Sequence, residues 1–430
     1  MEGAMVFDRM TDLPPLVVAT AGSVDDGKST LIGRMLYDGG LLPVDQRAAV
    51  EASGDGGLPD FAAITDGLAD ERAQGITIDV AWRYVDAPGR RLVIADVPGH
   101  EQYTRNMVTG ASNADAVVIL ADARRGPTVQ TWRHLCLSHL LGVRDIAVAV
   151  NKMDAVAHSE ARFREIAASV AERSAPFAGA RLHFVPVSAR DGDNVVRGSV
   201  AMPWYDGPSL FDLLQSLPGP DRGRARGFRL PVQLVSRLSP AGDRPSRAYL
   251  GRIAAGSVAV GDEIVVLPAG RGARVAAMER LGRRVDAGAA GQSVALYLDR
   301  DLDVARGDVI AGADELPQLG ATLDALLFWL GERPFDPSRR YLVRHGVRDV
   351  RARVSELRAA IDVARPARVA PPSRVGENDL VEVRLTLQSP LAFDDYRVDR
   401  AGGGFILIDE QTDETVAAGL IGRDFLSDDV

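Results

Sequence analysis

The sequence predicts a multi-domain α/β plus β protein: an α/β domain on a mostly parallel sheet with helices on both faces, then two small β-barrels. Three observations carry this expectation. Between Leu16 and about Leu217, β-rich apolar runs alternate with helical stretches. The first run leads straight into Gly22-Ser23-Val24-Asp25-Asp26-Gly27-Lys28-Ser29-Thr30, a glycine-rich turn that opens a helix. Around Pro218-Gly219-Pro220-Asp221-Arg222-Gly223 the texture changes to short strands with closely spaced turns, the pattern of small barrels.

In chain order, residues 1–15 read as a mobile arm; they carry acids and no apolar stretch of the kind a signal peptide needs. Residues 16–220 read as the α/β domain, with strands at Leu16–Thr20, Arg91–Asp96, Ala116–Asp122, Asp145–Asn151 and Arg181–Ser188. Each is a run of β-branched and apolar residues bounded by turn residues, as expected of strands covered on both faces. Ile78–Tyr84 alternates and reads as a further strand, whereas Gly39–Thr65 is glycine-rich and weakly patterned and reads in part as a flexible loop. The first barrel spans 221–315, with strands at Leu230–Val235, Ala248–Ile253, Glu263–Leu267, Arg274–Met278 and Ser293–Leu298. The second spans 316–430, with strands at Thr322–Trp329, Tyr341–Val343, Asp379–Thr386 and Phe405–Ile408; Arg351–Ala370 fits helix or strand equally.

Composition narrows the class. The 430 residues suffice for about three domains. A formal net charge of −9 gives the whole molecule no electrostatic pull toward nucleic acid or anionic lipid. Cys136 is the single cysteine, so no intrachain disulfide forms and a reducing, cytoplasmic compartment is expected. No apolar run approaches the roughly 20 residues of a membrane helix. Of 50 basic side chains only Lys28 and Lys152 are lysines. A lysine retained in so arginine-rich a chain suggests a site where a compact ammonium fits and a planar guanidinium fork does not.

The motifs follow the strand ends, where such sheets bind ligands. In Gly22–Thr30, backbone N–H groups and the helix dipole converge on a phosphate, Lys28 adds a point charge for the outer phosphates, and the Ser29 hydroxyl can bind Mg²⁺. Asp96 closes the strand Arg91–Asp96 and can hold Mg²⁺ through water opposite Ser29. In the following Val97-Pro98-Gly99-His100, Gly99 offers an N–H to a γ-phosphate and His100 can order the attacking water. Thr77, in Gly75-Ile76-Thr77-Ile78, can complete the metal shell when the γ-phosphate is present. Asn151-Lys152-Met153-Asp154 follows a strand. The Asp154 carboxylate accepts from the ring N–H and amino group of guanine, a donor pair adenine lacks; the Lys152 stem can lie along the base, and Asn151 can tie this loop to the phosphate loop. Ser188 and Ala189 can cap the base oxygen through backbone N–H. Order and spacing together point to GTP with Mg²⁺, with Lys28, Thr77 and His100 as the catalytic set. His134 and His139 lie in a helical stretch among leucines and read as packing.

At these residues the chain resembles the translation-factor-type GTPases and, within them, the large GTP-hydrolysing subunits of bacterial sulfate adenylyltransferase. The resemblance rests on Gly22–Arg34, Asp66-Gly67-Leu68, Glu71–Ala81, Gly99-His100-Glu101-Gln102-Tyr103-Thr104-Arg105-Asn106-Met107, Gly192–Val195, Met202–Tyr205 and Gly403–Asp409. The Asp25-Asp26 pair and the Glu-Gln-Tyr-Thr-Arg-Asn run separate that family from elongation factor Tu. The resemblance implies a GTP-binding domain followed by two β-barrels. It also implies a heterodimer or higher assembly with a small catalytic subunit, which makes adenosine 5′-phosphosulfate and pyrophosphate from ATP and sulfate. GTP hydrolysis on the large subunit drives that unfavourable transfer. Departures are Ala21, where the family often has cysteine, the stretch Leu238–Tyr249 with its unfamiliar Ser-Pro-Ala-Gly-Asp-Arg-Pro sequence, and a divergent Arg340–Arg374. A translational GTPase delivering a charged tRNA is the competing reading; the overall acidity and the family-specific runs weigh against it, as intact His100 and Thr77 weigh against a non-hydrolysing scaffold.

Overall fold

The computed structural model describes residues 14–53, 59–64, 80–98, 104–219, 227–238, 246–423 and 425–426. Thr77, Gly99 and His100 lie outside the described residues, as do most of the expected N-terminal arm, the linker from Pro220 and the divergent residues 239–245. Two compact units form, one holding residues up to Pro220 and the other both barrels.

The first unit is built on strands β1 (Leu16–Ala21), β2 (Ala81–Ala87), β3 (Arg90–Asp96), β4 (Ala116–Asp122), β5 (Asp145–Asn151) and β6 (Arg181–Pro186). They pair in the order β2-β3-β1-β4-β5-β6, all parallel except the antiparallel edge strand β2. Register does the positioning: Thr20 pairs with Asp96, Ala21 with Ile119 and Asp122 with Asn151, so the strand ends form one rim. Every residue of β4 and β5 is buried, which explains their unbroken apolar runs.

Helices α1 (Lys28–Asp38), α2 (Val44–Ser53), α3 (Thr104–Ser112), α4 (Val129–Leu140), α5 (Glu160–Arg173) and α6 (Leu210–Ser216) cover the sheet. Leu31, Ile32, Met35 and Leu36 of α1 and Leu210, Leu213 and Leu214 of α6 pack on Val18, Leu92, Ile94, Val118 and Leu120. Helix α4 starts on Thr128, whose hydroxyl accepts the Thr131 N–H while the Thr131 side chain answers the Thr128 N–H. Within Gly39–Thr65, expected in part as a flexible loop, Val44–Ser53 form the ten-residue α2, braced by an Arg47–Glu51 pair at 3.1 Å and anchored by buried Val50, while 54–58 and 65 lie outside the described residues. With Val50 its one buried apolar side chain among the described ones, the helix offers a periodicity reading little to find.

In the second unit, Arg229–Pro231, Val309–Gly312, Glu263–Leu267, Arg271–Arg280, Ser293–Leu298, Ser246–Arg252 and Leu234–Leu238 pair in that order around Leu230, Tyr249, Val266, Val275 and Leu296. Next, Tyr341–His345, Gly404–Asp409, Thr415–Ile421, Gln318–Trp329, Leu380–Phe393 and Arg348–Asp362 pair in sequence. The last strand pairs back onto the first, closing a six-stranded barrel around Trp329, Tyr341, Val383, Leu385 and Leu407. The ambiguous Ala/Arg stretch is therefore strand from Arg348 to Asp362. Val350, Ala352 and Val354 point inward and Arg351, Arg353 and Ser355 outward, a period of two.

Candidate nucleotide site

Chain geometry forms the phosphate loop before any ligand arrives. Asp25 and Gly27 sit at φ 69° and 91°, and a Cβ on Gly27 would stand 2.6 Å from Asn151 Nδ2, so both conformation and space require glycine there. The Asp26 carboxylate accepts the Ser23 N–H at 2.9 Å, and the Asp26 N–H donates to Ser23 O at 3.2 Å, folding the loop on itself. Gly27 O then receives the Leu31 N–H at 2.9 Å and α1 begins. Lys28, buried, donates to Val97 O at 2.6 Å and lies 3.1 Å from Asp96, which the Thr20 hydroxyl also reaches at 3.3 Å. The ammonium expected on phosphates and the carboxylate expected near Mg²⁺ are thus neighbours beside the loop.

Two side chains tie the Asn151–Asp154 turn to the phosphate loop. Asn151, buried at the end of β5, donates to Asp26 O at 2.8 Å and accepts the Ala189 N–H at 3.0 Å. Lys152, at φ 64°, reaches back to the Asp25 carbonyl and pairs with Asp122 at 3.0 Å. The Ser188 hydroxyl donates to Asp154 Oδ1 at 2.8 Å and takes the Asp191 N–H at 3.1 Å, fixing the carboxylate in orientation. Arg34 on α1 donates to the Arg190 and Asp191 carbonyls, each at 3.0 Å. Its guanidinium fills the space above Gly192, where a Cβ would lie 2.4 Å from Nη2.

Of the residues expected at the site, Gly22, Ser23, Val24, Asp25, Asp26, Gly27, Lys28, Ser29, Thr30, Asp96, Asn151, Lys152, Asp154, Ser188 and Ala189 gather along one rim. Among the described residues there is no cluster of three or more histidine, cysteine or acidic side chains of the kind that binds a transition metal. The donors present fit a different ligand. A buried ammonium suits phosphate oxygens, a hydroxyl and a carboxylate are the hard oxygen donors that suit magnesium, and Gly27 leaves room for no Cβ, so the set fits a magnesium-bound nucleoside triphosphate.

Sequence reasoning missed the loop that follows β4. Asp122 is fully buried, and burial pushes its carboxyl up, yet hydrogen bonds from Arg124 and Lys152 outweigh this and hold it well below the usual carboxylate range. Arg125 Nη2 lies 3.0 Å from Asp26 Oδ1, and Thr128 Oγ1 lies 2.7 Å from Ser23 Oγ. Asp122 ends a predicted strand, and the rule that ligands gather at strand ends was the signal available for it. His134 is packed, as expected, against Gly22 and Met107.

Residues 14–233 match the elongation factor Tu GTP binding domain, and residues 322–422 match the GTP-eEF1A C-terminal domain-like family. With the rim just described, this defines a GTPase of the translation-factor type, with a guanine-nucleotide domain. Sulfate adenylyltransferase subunit 1 of Rhizobium meliloti is 43% identical over 419 residues, covering 95% of this chain and 82% of that protein. The bifunctional enzyme CysN/CysC of Xylella fastidiosa is 42% identical over 428 residues, covering 98% of this chain and 68% of that one. Its namesake from Mycobacterium tuberculosis is 43% identical over 413 residues, covering 95% and 67%. The chain belongs to the sulfate adenylyltransferase subunit 1 family. No helix among the described residues is long and apolar enough to cross a membrane.

Proposed function

We propose that this chain is the GTP-hydrolysing regulatory subunit of a cytoplasmic sulfate adenylyltransferase. It would work beside a separate small subunit that makes adenosine 5′-phosphosulfate and pyrophosphate from ATP and sulfate. One observation carries the reading. The guanine-reading pair Asp154–Ser188 and the bridging Asn151 lie on a chain that aligns over 95% of its length with a protein named sulfate adenylyltransferase subunit 1. Asp154 would select guanine, Lys152 would cover the base, and Ser188 and Ala189 would close its oxygen edge. Lys28 and the Gly22–Thr30 amides would hold the phosphates. Ser29, Thr77 and Asp96 would hold Mg²⁺, with Gly99 on the γ-phosphate and His100 ordering the attacking water. Bound there, the magnesium nucleotide supplies a phosphoanhydride whose cleavage releases the free energy that the adenylyl transfer lacks.

The test is pyrophosphate release from ATP and sulfate by this chain plus the small subunit encoded with it, with and without GTP. Release should rise with GTP, and GTP hydrolysis should accelerate when small subunit, ATP and sulfate are added. Pyrophosphate release indifferent to GTP, with no acceleration of hydrolysis, would refute the assignment.

A further inference from the structure

The phosphate loop contains an acid that its ligand should not welcome. Asp26 sits between Gly22 and Lys28, in a turn whose amides and ammonium suit a polyanion, yet its side chain is 1% exposed. It consumes the Ser23 N–H, one of the donors such a loop would otherwise offer. Burial raises its pKa above the usual value, and the Ser23 N–H and the Arg125 charge pull it back only in part. The groups facing it are Arg125 at 3.0 Å, Asp122 and Lys152. Lys152 is already paired with Asp122 and bonded to the Asp25 carbonyl. Arg125 is therefore the cation that answers Asp26, with Nε 3.6 Å from Asp122. The two halves of the pair differ in access: the acid is buried, whereas the Arg125 side chain is 47% exposed on the loop after β4.

We propose that Arg125 is a positioning residue for nucleotide release: its guanidinium cancels the Asp26 charge inside the phosphate loop, and moving it away turns Asp26 against the bound phosphates. A buried carboxylate left without its cation repels a neighbouring anion with little screening. Displacement of one accessible side chain thus loosens the nucleotide: it gives up the Arg125 bond to the Val24 carbonyl at 3.4 Å but leaves the Asp26–Ser23 and Leu31–Gly27 backbone bonds of the loop in place. This rests on the guanine-nucleotide reading above.

The experiment follows dissociation of a fluorescent GDP analogue from the full-length chain. Arg125→Ala should release it roughly tenfold faster or more, about 1.4 kcal/mol of lost affinity. Asp26→Asn keeps an acceptor for the Ser23 N–H but removes the charge, and should release it more slowly than the native chain. The double variant should return to within roughly threefold of Asp26→Asn, and Arg125→Lys should restore most of the native rate. If the pair were only structural, both single changes would speed release and the double would be fastest; that pattern, or an unchanged rate in Arg125→Ala, overturns the proposal. If the native chain binds no GDP at all, it is the nucleotide reading that fails.

Discussion

Replacing Asp154 by asparagine gives a perturbation whose sign and size can be worked out from its neighbours. The Ser188 hydroxyl donates to Asp154 Oδ1 at 2.8 Å, and that hydroxyl in turn accepts the Asp191 N–H. With its proton committed in this way, the hydroxyl asks for an acceptor, so the asparagine Oδ1 faces Ser188 and Nδ2 takes the place of the second carboxylate oxygen. An N–H then confronts the guanine N–H. The loss has two parts: a charge-assisted bond worth about 1.5–3 kcal/mol, and a buried donor left unsatisfied at about 1–3 kcal/mol. Together they predict that GDP affinity falls on the order of 10²- to 10⁴-fold. Xanthine carries a carbonyl where guanine carries its amino group, so XDP should recover most of the difference. The assay is isothermal titration with GDP and with XDP at fixed magnesium, on native and variant chains. Retained preference for guanine in the variant would refute both the role of Asp154 and the orientation argued from Ser188.

Two further outcomes are expected. Gly27→Ala places a Cβ 2.6 Å from Asn151 Nδ2 at φ 91°. It should therefore weaken GDP binding roughly tenfold or more while the circular dichroism spectrum stays native, the strain being about 1–3 kcal/mol; binding within twofold of native would contradict the geometry. His134, 1% exposed, is pushed down to about 3 by burial and then by the nearby Lys28 and Arg133 charges. A lowered folded-state value means its contribution to stability is complete above the unfolded pKa of about 6.5 and is lost as pH falls from there toward about 3, at roughly 1.4 kcal/mol per pH unit. His134→Gln should flatten the acid limb of urea-unfolding stability between about pH 6.5 and 4, and an unchanged slope would show that other groups set it.

What the sequence yields here follows from how local each feature is. The phosphate loop and the Asn151–Asp154 turn are read because their chemistry depends on backbone conformation and on residues a few positions apart. The pairing of Arg125 with Asp26 spans 99 residues. It exists because β1 and β4 are neighbours in the sheet, an order that no stretch of chain announces. Asp122 escaped notice for the same reason, its partner Lys152 standing at the end of the next strand. In the barrels the difficulty is composition: from Arg348 to Asp362 the inward positions are partly alanine, too small to make the alternation visible among arginines. The residues expected to act on the γ-phosphate, Thr77, Gly99 and His100, rest on motif alone.

Arg34 has one more consequence. Helix α1 starts at the phosphate turn and, about two turns on, grips the Arg190 and Asp191 carbonyls in the loop proposed to cap the base, so a single stiff rod links the two ends of the proposed pocket. Such a rod is a caliper: it sets the distance between the two jaws before the ligand comes. Guanosine and pyrophosphate supplied as separate molecules would each meet only one jaw, and together should fall far short of the intact nucleotide, because the advantage lies in a span already measured.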